Sequence, residues 1–275
     1  MTDHLAATEE IGRITHNTEA SELYVEHIAS TVGNLSGIKI AVDCANGASY
    51  ETARKIFGKA GAEATFLSCE PDGKNVNLDC GSLHLDALGK YVKENGFDIG
   101  VAFDGDADRC LAVDENGKLI DGDKLLAIFS KFMKVQGKLK SNTCVVTVMS
   151  NLGFFKFAEE NGINATTTAV GDRYVLERMQ QFEYNLGGEQ SGHIIFLDEA
   201  NTGDGQLTGV KFLEVMKKTG KKASELASCM ETYPQILVNV KITADKKGMW
   251  EKDEKVQEAI SSMNIIKEIY VKGKL

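Results

Sequence analysis

Asp104, Asp106 and Asp108 stand at alternate positions of the run Asp104-Gly-Asp-Ala-Asp-Arg109. Three carboxylates so close repel one another, each pair by roughly 4 kcal/mol at about 4 Å and an effective dielectric near 20. A bound cation removes that conflict. Oxygen-only ligands select a hard ion, and a short loop with room for water and a phosphate oxygen suits Mg²⁺ better than a full Ca²⁺ cage. Gly105 and Ala107 keep the spacer side chains small, and Arg109 can face an anion on the far side of the ion. An EF-hand would share its first, third and fifth ligands with this run and find Glu115 at its twelfth, but its sixth position must be glycine and is Arg109 here. A solvated acidic cluster is the plain alternative, although directly after a buried strand it has little reason to exist without a ligand. A phosphatase reading, with Asp104 as nucleophile, is disfavoured because three carboxylates around one ion serve binding better than covalent attack, and no phosphate-gripping lysine motif accompanies them.

The loop must be carried by the strand before it. Asp98 to Phe103 is almost wholly apolar, which predicts a central strand covered on both faces. Upstream, Ile38 to Asp43 reads as a buried strand, followed by the turn Cys44-Ala-Asn-Gly47, a helix from Ser49 to Ala60, a strand over Ala64 to Leu67 and a helix from Leu85 to Asn95. Downstream, Glu115-Asn116-Gly117 joins two short apolar runs as a hairpin, and a helix follows from Asp123 to Val135. A strand over Thr143 to Met149, a turn at Ser150-Asn151, a helix and another strand echo the order that began at Ile38, a weak internal repeat. Helices over Asp172 to Gln181 and Gly205 to Lys218 flank short strands around a Gly187-Gly188 turn. Before all this, Leu23, Tyr24, His27 and Ile28 give a lead-in helix its apolar stripe. After Tyr233-Pro234 come a strand (Ile236 to Ile242), a helix (Lys247 to Ser261) and a strand (Ile265 to Val271). The fold class is therefore α/β: a lead-in over 1–36, two consecutive mixed, largely parallel α/β domains over 37–138 and 139–234, and a partial α+β C-terminal domain over 235–275.

The 275 residues carry 40 acidic against 31 basic side chains, a net charge of -9 scattered along the chain, which argues against nucleic acid or a membrane surface as partner. Six single cysteines with no C-x-x-C pair read as reduced thiols and hence a cytoplasmic protein. No stretch resembles a signal peptide or a membrane span.

Three segments share a more specific likeness. Asp104-Gly-Asp-Ala-Asp-Arg109, Val170-Gly-Asp-Arg-Tyr-Val175 and Gly188-Glu-Gln-Ser-Gly-His193, with Val42-Asp-Cys-Ala-Asn-Gly-Ala-Ser-Tyr50 in support, resemble the α-D-phosphohexomutase superfamily. Their wording is closest to its bacterial hexosamine-phosphate branch, with phosphomannose or phosphoglucose as the alternative substrates. The resemblance implies an isomerase in which a phosphoserine gives its phosphoryl group to the sugar phosphate, the bisphosphate reorients and the other phosphate returns. Asp104, Asp106 and Asp108 would hold Mg²⁺ against that phosphoserine. Glu189 and Ser191 would hydrogen-bond ring hydroxyls, His193 would close their loop, and Arg109, Asp172 and Arg173 would complete the substrate-binding set. Asp172 and Arg173 serve equally well as a helix N-terminal charge and a surface ion pair.

Two parts of the pattern find no match. The phosphorylated serine's Ala-Ser-His-Asn type motif is only imitated by Thr15-His16-Asn17, and the Arg-x-Ser-Gly-Thr-Glu type loop expected after Val271 would fall beyond Leu275. The expectation is a truncated chain that binds Mg²⁺ and hexosamine phosphate but does not turn over by itself. A non-catalytic module that pairs with a separately encoded first domain is the second reading.

Overall fold

Every residue of the strand that leads into the acidic loop is buried, as its apolar sequence requires. The structure is a computed structural model and describes residues 12, 17, 19–236 and 249–262. Helix α1 (Ala20–Ser30) precedes β1 (Lys39–Asp43), α2 (Thr52–Lys59), β2 (Glu63–Leu67), α3 (Leu85–Asn95), β3 (Ile99–Phe103), β4 (Cys110–Asp114) and β5 (Leu119–Ile120). These strands form one sheet in the order β2-β1-β3-β4-β5. β1 runs parallel to β2 and β3, while β4 and β5 run antiparallel, because the short turns at each end of β4 leave no room for a crossover. The hairpin expected at Glu115-Asn116-Gly117 is present, with Asp114 Oδ1 accepting from the Asn116 and Lys118 amides at 2.8 and 2.9 Å.

Helix α4 (Gly122–Val135) leads to β6 (Thr143–Thr147), α5 (Leu152–Glu160), β7 (Asn164–Thr168), α6 (Asp172–Phe182), β8 (Leu186–Gly188), β9 (Ile194–Phe196), α7 (Gly205–Thr219) and α8 (Ala223–Ala227). The second sheet has the order β7-β6-β8-β9, again with two parallel pairings and an antiparallel last strand. The weak repeat in the sequence is thus a repeat of topology. In each sheet the second strand in sequence lies outside the first, the third lies on its other side, and the fourth turns back beside the third.

Both sheets share one core. Ile40, Val42, Val101 and Phe103 of the first and Cys144, Val146, Ile194 and Phe196 of the second belong to the same apolar cluster. The opposite faces are covered separately, by α3 through Leu88 and Val92 and by α6 through Val175 and Met179. The helices between the sheets interleave: α4 packs on α5, β6 and β8, whereas α7 returns to β3, β4 and α2. Phe129 of α4 marks the junction, meeting Phe196 edge-on at 5.0 Å and Phe212 at 6.3 Å between ring centroids.

Several sequence expectations shift. Gly187-Gly188 is no turn but lies within β8, since a Cβ on Gly187 would stand 2.7 Å from Met179 Sδ and 2.9 Å from Val145 O. The strand needs glycine there to approach β6 and α6, and the turn falls on residues 189–193. In α1, Val25 and Ile28 are buried while Leu23 is 59% exposed, so the apolar stripe is rotated from the one expected. The helix expected over Lys247 to Ser261 is represented by a 3₁₀ turn (Met249–Lys252) and α9 (Glu254–Ser262). The strands expected at Ile236 to Ile242 and Ile265 to Val271, apart from Ile236, lie outside the described residues, as do Thr15 and His16.

Truncation at the junction tests whether the two sheets depend on one core. Phe129→Ala should lower stability by about 3–5 kcal/mol, the range for emptying a buried aromatic site, read as a lower urea midpoint followed by circular dichroism. A loss under 1 kcal/mol would show that the sheets are covered independently.

Candidate functional site

Burial of β3 delivers Asp104 to the site almost wholly removed from water. Asp104 is 6% exposed, and the loop folds tightly behind it, with the Ala107 amide donating to Asp104 O at 3.1 Å and Ala107 itself left-handed at φ 63°. Oxygens of Asp104, Asp106 and Asp108 lie within 4.8 Å of one another. Burial pushes the Asp104 carboxyl above its ordinary value; the Arg109 amide and guanidinium oppose that rise, and the charges of Asp108 and Asp106 add to it. Asp108 Oδ1 is buried with no hydrogen-bond partner among the described residues. An orphaned anionic oxygen facing two other carboxylates is what a hard cation would satisfy, so the donor set fits a metal ion.

Arg109 supplies the nearest positive charge. Its Nε stands 3.3 Å from Asp104 Oδ2 and 3.6 Å from Asp108 Oδ1, with the side chain 43% exposed. In this arrangement the guanidinium folds onto the acidic loop, and its exposed part faces outward.

The back of the loop rests on the start of α7. Gly205 N donates to Ala107 O at 2.9 Å, and a Cβ at Gly205 would stand 2.3 Å from Arg109 O, so no other residue fits without displacing the loop. Asp204 caps α7 by accepting from Leu207 N at 2.9 Å and also receives the Tyr24 hydroxyl, which ties α1 to the same point. Gly203 N donates to His193 Nε2 at 3.2 Å. That bond makes Nε2 the acceptor and leaves the ring proton on Nδ1, which donates to Asp108 Oδ2 at 3.1 Å. His193 is 5% exposed; it therefore fixes the orientation of one carboxylate ligand, as outer-shell partners do at metal centres.

His193 brings the other motifs with it. It ends the loop between β8 and β9, pairs with Arg109 as an antiparallel bridge, and is followed at the loop's edge by Cys110 N donating to Gly192 O at 3.0 Å. At the start of the same loop, Glu189 Oε1 accepts from Gly171 N at 2.9 Å, in the segment that opens α6. Gln190 O accepts from Gly122 N at 3.0 Å, at the start of α4. Residues 188–193 thus touch the acidic loop and the Gly171 segment together. Ser191 is exposed at the loop's tip. Asp172 is exposed in the first turn of α6, and Arg173 turns along the helix to Glu177 at 2.7 Å with 81% exposure, the surface-pair arrangement weighed as its alternative.

Sequence reasoning missed the supports: Gly203, Asp204, Gly205 and Asp123. Asp204 before an apolar run was a readable cap signal, but its contact with residues a hundred positions away was not. Asp123, beside the Gly122 that donates to Gln190 O, is fully buried. Its Oδ2 accepts from Asn151 N at 2.6 Å, while its Oδ1 has no hydrogen-bond partner among the described residues. Burial pushes its carboxyl up to about 7. Asn151 in turn caps α5 and accepts from Tyr233 N at 2.9 Å, where the chain leaves the second sheet.

The family models match the two sheets separately. Residues 22–117 match the phosphoglucomutase/phosphomannomutase alpha/beta/alpha domain II, and residues 121–233 match domain III. The chain belongs to the phosphoglucomutase/phosphomannomutase family, the phosphohexomutases. Within it, a protein of Acetivibrio thermocellus named phosphoglucosamine mutase is 52% identical over 255 residues, 92% of this chain and 57% of that protein. The chain therefore spans little more than half the length of the curated relative it matches. The crystal structure of a phosphoglucomutase/phosphomannomutase family protein from Burkholderia thailandensis matches with a TM-score of 0.69 at 25% identity, over 76% of this chain and 46% of that one. The Aspergillus fumigatus N-acetylphosphoglucosamine mutase, solved in complex with GlcNAc-6P and magnesium, shares the fold with a TM-score of 0.60 at 18% identity, over 78% of this chain and 49% of that one.

Two measurements test the supports. His193→Ala should weaken divalent-metal binding about tenfold by freeing Asp108, measured by calorimetry, with little change in the thermal midpoint of the metal-free protein; unchanged affinity would remove His193 from the site. Asp123 has a folded pKa of about 7 against an ordinary 3.8, so between those values the folded state binds more protons than the unfolded one. Stability from this group is then full below about pH 4 and is lost as pH rises through 7, by up to about 4 kcal/mol. Asp123→Asn should flatten that part of the stability profile in urea titrations from pH 4 to 8, and an unaltered slope would contradict the assignment.

Proposed function

We propose that this chain forms the metal-holding and sugar-recognising part of a phosphoglucosamine mutase, which interconverts glucosamine-6-phosphate and glucosamine-1-phosphate, with Mg²⁺ held by Asp104, Asp106 and Asp108. The observation that carries the reading is the convergence of three distant motifs through residues 188–193, at the mouth of the metal loop. Mg²⁺ supplies positive charge against the phosphoryl oxygens during transfer. Arg109, exposed at the loop's end, is placed to meet a phosphate oxygen once a cation takes over its contact with Asp104 and Asp108. One oxygen of Glu189 is committed to Gly171; its other oxygen and the Ser191 hydroxyl are the groups offered to the sugar ring. Asp172 and Arg173, at the exposed start of α6, lie beside that same Gly171 and are assigned to the substrate's outer edge. The first sheet with its loop, over about 37–138, serves the metal, and the second, over about 139–234, serves the sugar.

The phosphoryl-carrying serine has no counterpart in these 275 residues, so it is assigned to another part of the enzyme, on the same or a separately encoded polypeptide. Among the described residues no helix is long and apolar enough to cross a membrane, and a small hexosamine phosphate is the partner this reading requires.

Calorimetric titration of the chain with Mg²⁺, and then with glucosamine-6-phosphate, should show binding of both. Asp106→Asn should reduce Mg²⁺ affinity at least tenfold. Glucosamine-6-phosphate with a bisphosphate primer should yield no glucosamine-1-phosphate. Sustained turnover by this chain alone would overturn the assignment of the serine elsewhere, and absence of Mg²⁺ binding would overturn the metal assignment.

A further inference from the structure

The turn that supports the metal loop also brings two thiols together. The parallel register of β1 and β2 pairs Asp43 with Leu67 and runs on past both strands, with Cys44 N donating to Leu67 O at 3.0 Å and Asn46 N to Ser68 O at 2.7 Å. Simple alternation would place Cys69 with Leu67, on the α3 side of the sheet. Ser68 interrupts it, being left-handed at φ 51°, and Cys69 packs instead with Cys44 and Phe66 in the shared core. There Cys69 Sγ donates to Leu67 O at 3.2 Å, the same carbonyl that accepts from Cys44 N, so the two cysteines meet at one point of the strand ends. Cys44 is buried and Cys69 only partly so. Arg54 stacks on Phe66, 5.1 Å from the ring centroid, with its guanidinium beside Cys69.

We propose that Cys44 and Cys69 are a peroxide-sensitive pair that closes reversibly to a disulfide and thereby weakens the metal loop. The Cys69 thiolate attacks an oxygen of hydrogen peroxide; the O–O bond breaks, leaving a sulfenic acid and a hydroxide that takes up a proton to become water. Cys44 then attacks the sulfenic sulfur, its proton leaves with the displaced hydroxide as a second water, and the S–S bond forms. Two thiols are oxidised and one peroxide is reduced to two waters. The order follows from the surroundings. The neighbouring Cys44 thiol holds the Cys69 thiol down at about 7, with Arg54 adding to it against burial, while Cys69 and its own burial push Cys44 up. Cys69 is also the sulfur that solvent reaches.

Closure acts on the metal loop through the turn after Cys44. Ala45 and Asn46 are left-handed at φ 55° and 47°, Ala48 N donates to Gly105 O at 2.8 Å, and Asn77 N donates to Ala45 O at 2.9 Å. Closing a bond of about 2.05 Å between the sulfurs shifts Cys44, and with it the turn that holds Gly105. Cys80 is the competing partner, receiving Asn46 Nδ2 at 3.7 Å.

The test treats the 275-residue chain with hydrogen peroxide at pH 8, alkylates it, and maps the digest by mass spectrometry. A peptide linking Cys44 to Cys69, two hydrogens lighter than the free pair and released by dithiothreitol, is expected. Cys69→Ser should abolish it, and Cys44→Ser should leave Cys69 as a sulfenic acid trapped by dimedone. Cys69 remaining fully alkylatable, or linked to Cys80, would overturn the pairing. The coupling rests on the proposed Mg²⁺ site, and the oxidised protein should bind Mg²⁺ several-fold more weakly, with recovery on reduction. An unchanged affinity would overturn the coupling alone, whereas a reduced chain that binds no Mg²⁺ would overturn the metal reading and leave the disulfide result standing.

Discussion

The hydrogen bond from His193 to Asp108 is the contact on which the site depends. It joins a loop of the second sheet to a loop of the first at the point where three carboxylates crowd together. Such a cluster at the end of a buried strand is unstable in isolation, because burial and mutual repulsion both oppose ionisation. The surroundings supply what opposes them: the Arg109 amide and guanidinium, the His193 Nδ1–H, and an orphaned Asp108 oxygen left for a cation. Each of these donors is oriented by something further back, His193 by Gly203 and the loop backbone by Gly205.

The repeated topology explains how two loops from different halves come to face each other. In both sheets the loop that carries chemistry follows the third strand and precedes the antiparallel fourth, β3 to β4 in one and β8 to β9 in the other. Parallel strands collect such loops at one sheet end, beside the place where the chain order reverses. Interleaving α4 and α7 between the sheets then locks the two ends together. The start of α7 supports the metal loop and the start of α4 supports residues 188–193, so each helix braces the loop of one sheet while its length fills the common core.

Much of this was legible in the sequence where a local physical rule decides. An unbroken apolar run must be a central strand, Gly96 must end a helix in the left-handed region, and the Glu115-Asn116-Gly117 turn must fold β4 back. The acidic run announced a cluster of converging carboxylates for the same reason. What stayed hidden depends on the packing of distant segments. Gly187 looked like a turn because glycine permits one, yet it serves a strand that must approach Met179. Asp123 was legible only as the start of a helix, and its burial against Asn151 was not. Arg173 could be read from spacing either as a ligand or as a partner of Glu177, and only side-chain direction separates the two.

Under the proposed function, the same linkage would make sugar recognition and metal binding influence each other. Residues 188–193 are held at one end by Gly171, at the middle by Gly122 and at the far end by the metal loop. A ligand that bonds Glu189 must compete with or reinforce the Gly171 contact, and any displacement is carried along five residues to His193. Because His193 sets the direction of an Asp108 oxygen, the position of the loop and the affinity for the ion are two faces of one equilibrium. Thermodynamic linkage then requires reciprocity: whatever the ion contributes to sugar affinity, the sugar contributes to ion affinity. A rigid, fully bonded loop would suppress that coupling. Here the loop's tip at Ser191 is exposed while both of its ends are fixed, which confines movement to the residues between the sugar contacts and the metal contact.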